Sequence, residues 1–201
     1  MDSTGKETFF RLADPFVSRA VRTNFVFQLP REIDKVFRGE IVPATAVTCP
    51  YLSGSKYCDV VWAGLFPLVH ERVLEVLTVG GISGWSTYQA QIVDKSGKGI
   101  SGYHGLSITG RCTTTFCGEG YSEIIYEAGP SGIPMKHYKG ITFEGWDGSD
   151  LFTAADGKSL HILTTAAVRY LLEKERISNV EFGKTSAFKV LATDSRVGRH
   201  P

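Results

Sequence analysis

The chain has 201 residues, of which 42% are apolar, 21% charged and 11% aromatic, and its 22 Lys and Arg nearly balance its 21 Asp and Glu. At this length folding hides roughly 70% of the extended chain's surface, so a hydrophobic core suffices without disulfide or metal staples. The even charge, with no long block of one sign, excludes the electrostatic footprint of a nucleic-acid binder, and the ordinary apolar content excludes a disordered tail or a coiled coil.

Met1 to Arg11 lacks the apolar run of a signal peptide, and no stretch is apolar for long enough to span a bilayer. The expectation is a cytoplasmic protein with no membrane partner. Short apolar groups follow, Phe9-Phe10, Phe16-Val17 and Phe25-Val26-Phe27, punctuated by Pro15 and Pro30. Ile33 to Phe37 reads as one helical turn ended by Arg38-Gly39, and Pro43 to Pro50 as irregular chain.

Val69, Val73, Val76 and Leu77 fall at the spacing of one helical stripe, with Pro67 in the opening turn and Gly80-Gly81 at the end. The same pattern returns 95 residues later: Val168 matches Val73, Leu171 Val76, Leu172 Leu77, Ile177 Ile82 and Ser178 Ser83. Asn179 falls under Gly84, and both residue types tolerate a left-handed backbone. Trp85 to Val93 and Val180 to Phe182 then read as strands. Upstream, Asp59-Val60-Val61-Trp62 resembles the segment Ser149 to Phe152, with a spacing to the helix that differs by four residues. Asp94 to Gly99 is turn chemistry, and Leu106 to Thr109 completes a hairpin with Trp85 to Val93.

These elements predict an α+β protein of two related helix-turn-strand modules with antiparallel hairpins. Residues 1–58 form an N-terminal segment packed on the core, 59–135 the first module with its hairpin, 136–193 the second module and 194–201 a flexible tail.

Candidate chemistry is sparse. Eight residues separate Cys49 from Cys58 and four separate Cys112 from Cys117, too wide in the first pair for a zinc knuckle, so reduced thiols and no metal or cofactor are expected. The segment Gly145 to Phe152 holds Asp147 and Asp150 between aromatic residues. Counted from Asp147 as an EF-hand loop, however, its closing position is Lys158 where a Glu is needed, so it reads as a turn anchored by Trp146 and Phe152. His70, where the second copy has Thr165, and His104 have no nucleophile or carboxylate at a recognisable spacing. Nucleophile elbow, phosphate loop and dinucleotide fingerprint are all missing, and the expectation is a protein that is not an enzyme.

In order along the chain, Val69 to Leu77, Gly81-Ile82-Ser83-Gly84-Trp85, Tyr103-His104-Gly105-Leu106, Gly110-Arg111-Cys112, Gly148 to Phe152 and Asn179 to Phe182 resemble a group of bacterial polymorphic-toxin immunity proteins, the myxobacterial double-CxxCG group. The CxxC motifs are degenerate here, and only Cys117-Gly118 keeps the Cys-Gly step. The resemblance implies a protein that binds and neutralises a cognate protein toxin. Aromatic anchors dominate such interfaces, which points to Trp85, Tyr88 and Trp146, with Asp147 and Asp150 beside them. Two other readings remain. One is a hydrolase or transferase that gathers His70, His104, Asp147 and Asp150 into one pocket. The other is a small-ligand or metal-binding module built on the cysteines.

Overall fold

The computed structural model of the chain describes residues 8–25, 32–117, 121–129, 132–156 and 160–192. In chain order its elements are β1 (Phe10–Ala13), β2 (Arg22–Thr23), α1 (Ile33–Phe37), β3 (Val47–Ser53), β4 (Val60–Ala63), β5 (Phe66–His70), α2 (Glu71–Val79), β6 (Trp85–Val93), β7 (Gly99–Ile100), β8 (Tyr103–Ile108), β9 (Gly110–Cys112), β10 (Thr114–Phe116), β11 (Glu123–Ala128), β12 (Pro134–Lys139), β13 (Thr142–Glu144), β14 (Leu151–Ala154), β15 (Ile162–Thr164), α3 (Ala166–Lys174), β16 (Glu181–Lys184) and β17 (Lys189–Leu191).

Six strands, in the order β3, β2, β4, β5, β8, β6, close into a barrel, shut by the parallel pairing of Val47 to Pro50 with Ala90 to Val93. Period-two alternation sorts their side chains. Cys49, Val61, Leu68, Tyr88, Ile92 and Tyr103 form one buried cluster with Val21, whereas their neighbours Val60, Trp62, Val69, Leu106 and Ile108 belong to a second. A glycine makes room inside the barrel. Gly105 lies directly opposite Tyr88, and a Cβ there would come within 2.0 Å of the tyrosine ring.

The second cluster lies between the barrel wall, α2 and α3, and one face of a five-stranded sheet ordered β16, β1, β15, β14, β9. Val73 and Leu77 from α2 and Val168 and Leu172 from α3 meet Leu12, Leu151 and Ile162 there. Full burial of each such aliphatic side chain contributes roughly 1.5–3 kcal/mol. The sheet's other face carries a third cluster of Cys112, Phe152, Ala154 and Leu163, where Phe9 and Phe143 pack edge to face on Phe152 and Trp146 lies tilted against it. A three-stranded sheet, β11, β12 and β17, and a two-stranded one, β10 and β13, complete the architecture.

The α+β expectation is therefore corrected. Strands occupy 44% of the described residues and helices 16%, and a closed barrel dominates where helix-turn-strand modules were expected. The segments read as modules are embedded in the barrel and in the five-stranded sheet. The first helix is also shorter than its stripe implied. Pro67 and Val69 belong to β5, which runs without a loop into α2 at Glu71. Residues before Asp59 are divided among the layers, because β2 and β3 are barrel staves while β1 lies between β15 and β16. Among the described residues no helix is long and apolar enough to cross a membrane. The expectations placed on Val26, Phe27, Pro30, Lys158 and 194–201 lie outside the described residues.

Candidate partner-binding surface

Two carboxylates tie the repeated segments together, and each works across the seam. Asp59, just before β4, accepts hydrogen bonds from Ser178 N at 2.8 Å and Ser178 Oγ at 2.6 Å, while its own N–H donates to Ser178 Oγ at 2.9 Å. Asp150, just before β14, accepts from Ser83 N at 3.0 Å and Ser83 Oγ at 2.8 Å, and its N–H donates to Ser83 Oγ at 3.1 Å. The serine that follows each helix thus clasps the aspartate that opens the other copy. Burial alone would push the Asp59 carboxyl up, but the Ser178 bonds and Arg72 Nη1 at 3.2 Å outweigh it and hold it below the ordinary carboxylate range.

Asp150 is therefore committed to the scaffold, with its second oxygen taken by Thr165 Oγ1 at 3.0 Å. Asp147 caps its own turn, accepting from Ser149 N and from Arg111 N, although its side chain remains exposed. His70 supplies the helix cap that its anomalous residue type concealed, its Nδ1 accepting from Arg72 N at 3.3 Å. Thr165, the better cap by type, caps nothing and serves Asp150 instead. His104 Nε2 lies 3.8 Å from Glu71 Oε1, in an open groove of about 470 Å³ lined by Glu71, Gln89, Gln91, Ser101 and Tyr103. His70, Asp147 and Asp150 do not line that groove, so the four residues of the hydrolase reading are not gathered in it.

The aromatic residues named as anchors are mostly structural. Tyr88 is 4% exposed inside the barrel and is corrected from surface anchor to core, since the barrel wall covers its ring. Trp85 is half-buried, with Nε1 bonded to Ile82 O, and Trp146 is half-buried, with Nε1 bonded to Ser149 O and its ring against Phe9 and Phe152. The cysteines are dispersed: Cys49 lies in the barrel cluster, Cys112 in the sheet cluster, and Cys117 is exposed. Burial pushes the Cys49 thiol up to about 12 and Cys112 to about 11, so both stay protonated and inert at neutral pH.

The surface that does offer an anchor lies elsewhere. Phe16 is 74% exposed, with Val17 and Leu65 also exposed beside it. Phe16 and Leu65 flank a cavity of about 220 Å³ where the end of β1, the β4–β5 turn and Leu160 meet. Phe16 adopts φ +55°, a left-handed backbone that costs a bulky L-residue roughly 1–2 kcal/mol. Asp14 Oδ1 accepts Phe16 N–H at 2.7 Å, Arg22 pairs with Asp14 at 3.0 Å, and the Arg22 guanidinium lies 4.5 Å from the centre of the Phe16 ring. The loop is thus locked with its ring outward. In the sequence this segment is only an apolar pair after Pro15, and the one local signal was Asp14-Pro15, a turn-forming pair in front of an aromatic. No protein-family model matches the chain, and no curated protein matches it either.

Proposed function

We propose that this chain is an immunity protein that binds a cognate protein toxin and covers its active surface. The ordered motifs from Val69 to Phe182 support the class, and the observation that carries the binding mode is the outward, fixed Phe16 with Val17 and Leu65 around it. Exposed aromatic residues held in one conformation are the usual hot spots of protein interfaces, because little side-chain entropy remains to be lost on docking.

Binding in this reading is surface occlusion, with the closed barrel as a rigid support and no chemical step. The test is co-expression: cells producing the toxin encoded beside this gene survive when the chain is present, and the two proteins co-purify. Death of the cells despite abundant folded chain rejects the proposal.

A further inference from the structure

The Phe16 surface is not only apolar. Arg19 is exposed two residues beyond Val17, and Lys56 lies alongside it, because the backbone O of Arg19 accepts the N–H groups of Ser55 and Lys56 at 2.9 Å each. Neither the Arg19 nor the Lys56 side chain makes a hydrogen bond or ion pair among the described residues. The nearby carboxylate, Asp14, is already neutralised by Arg22. The exposed ring is therefore followed three residues on by Arg19, with Lys56 on the adjoining segment, two cations unpaired among the described residues, whereas the apolar groove between α2 and α3 carries Arg72 beside Glu75 and Glu175. The three-stranded sheet also exposes Ile124 and Tyr126, but Glu123 and Glu127 on its strands are paired with Lys139 and Lys189.

Resting on the immunity reading above, we infer that Phe16 is the anchor of the toxin interface and that the toxin surface it enters is acidic, an apolar socket for the ring rimmed by carboxylates that face Arg19 and Lys56. Charge complementarity of this kind accelerates encounter and fixes orientation, while the desolvated ring supplies most of the affinity. The locked loop pre-pays the ordering that a flexible anchor would lose.

The left-handed backbone at Phe16 allows binding to be separated from folding. Phe16→Gly relieves the strain and removes the ring, so the variant is expected to melt at or above the temperature of the natural chain while its affinity for the toxin encoded by the neighbouring gene falls on the order of 100-fold, with loss of protection in co-expressing cells. The double variant Arg19→Glu, Lys56→Glu keeps its melting temperature, and its affinity falls on the order of 10-fold or more, chiefly through a slower on-rate whose salt response is inverted, rising with added salt where that of the natural chain falls. Tyr126→Ala binds as the natural chain does. Full binding by both Phe16→Gly and the charge-reversed variant, with protection intact, overturns the assignment of this surface and leaves the immunity reading standing. A natural chain that neither binds nor protects brings down both.

Discussion

The segments from β4 to β6 and from β14 to β16 share a backbone plan, two strands, a nine-residue helix, a turn and a strand, yet they end differently. In the first, β6 is nine residues long, pairs antiparallel with β8 and parallel with β3, and so closes the barrel. In the second, β16 has four residues, pairs with β1, and stops at a short 3-10 turn over Thr185–Ala187. The turns between helix and last strand are nearly superimposable in their dihedral signs: Gly81 and Gly84 have φ +65° and +85°, and their counterparts Arg176 and Asn179 have +53° and +65°. The turn and its Asp–Ser clasp are the common part, while the last strand is nine residues long where the sheet closes and four where it stays open.

The sharpest way to break this symmetry is at the turn residue. A Cβ on Gly84 would stand 2.0 Å from Leu151 O and 2.8 Å from Ser149 Cβ, at a φ that already disfavours it. Gly84→Ala is therefore expected to cost about 3 kcal/mol or more in urea unfolding. Asn179→Gly in the other copy eases the backbone but loses the bond from Asn179 Nδ2 to Val60 O at 2.8 Å, and should stay within about 1 kcal/mol of the natural chain. Equal effects at the two sites would show that the turns are not carrying different loads.

Next in size are the clasps. Asp59→Ala and Asp150→Ala each leave a serine N–H and hydroxyl without their carboxylate, for a loss of about 2 kcal/mol. The two losses should be similar, since Asp59 also releases Arg72 and Asp150 also releases Thr165. Asp59 also carries a pH signature. Because its carboxyl titrates below its unfolded value, its contribution is complete above the unfolded pKa of about 3.9 and disappears as the pH falls through the lowered folded value. Replacing it with Asn should flatten the acid limb of stability below about pH 4 relative to the natural chain, and an unchanged limb would remove Asp59 as its source.

The smallest effect belongs to the caps. His70→Ala removes one backbone bond at the start of α2, whereas Thr165→Ala removes a side-chain bond to Asp150, and each should cost about 0.5–1 kcal/mol. The two are distinguished by coupling: Thr165→Ala should be nearly silent in an Asp150→Ala background, while His70→Ala keeps its full effect there.

How much of this was legible in the sequence follows from the range of each interaction. The stripe of Val73 and Leu77, its repeat at Val168 and Leu172, the turn glycine with its Asn179 counterpart and the strand Trp85–Val93 are local patterns and could be read. Val69 falls in the stripe but lies in β5, because a strand that runs directly into a helix leaves its last inward residue in phase with the helical stripe. The barrel was not legible. Its closure joins Val47 to Pro50 with Ala90 to Val93, β2 has only two residues, and β4 is buried on both faces, so no alternation betrays it. Asp150 reads from the sequence as an open carboxylate between aromatic residues, since its partner Ser83 is 67 residues away, a contact that no spacing rule supplies. The exposure of Phe16 carries no signal in the sequence for the opposite reason, since exposure of an apolar residue depends on what fails to cover it.

Hydrogen–deuterium exchange of the chain with and without the neighbouring toxin tests most directly where a partner sits. The account expects slowed exchange on complex formation in the segments around Phe16 to Arg19, Ser55 to Tyr57 and Gly64-Leu65, with the His104 groove and β11 unchanged. Slowed exchange confined to that groove or to β11, with the Phe16 loop untouched, would contradict it.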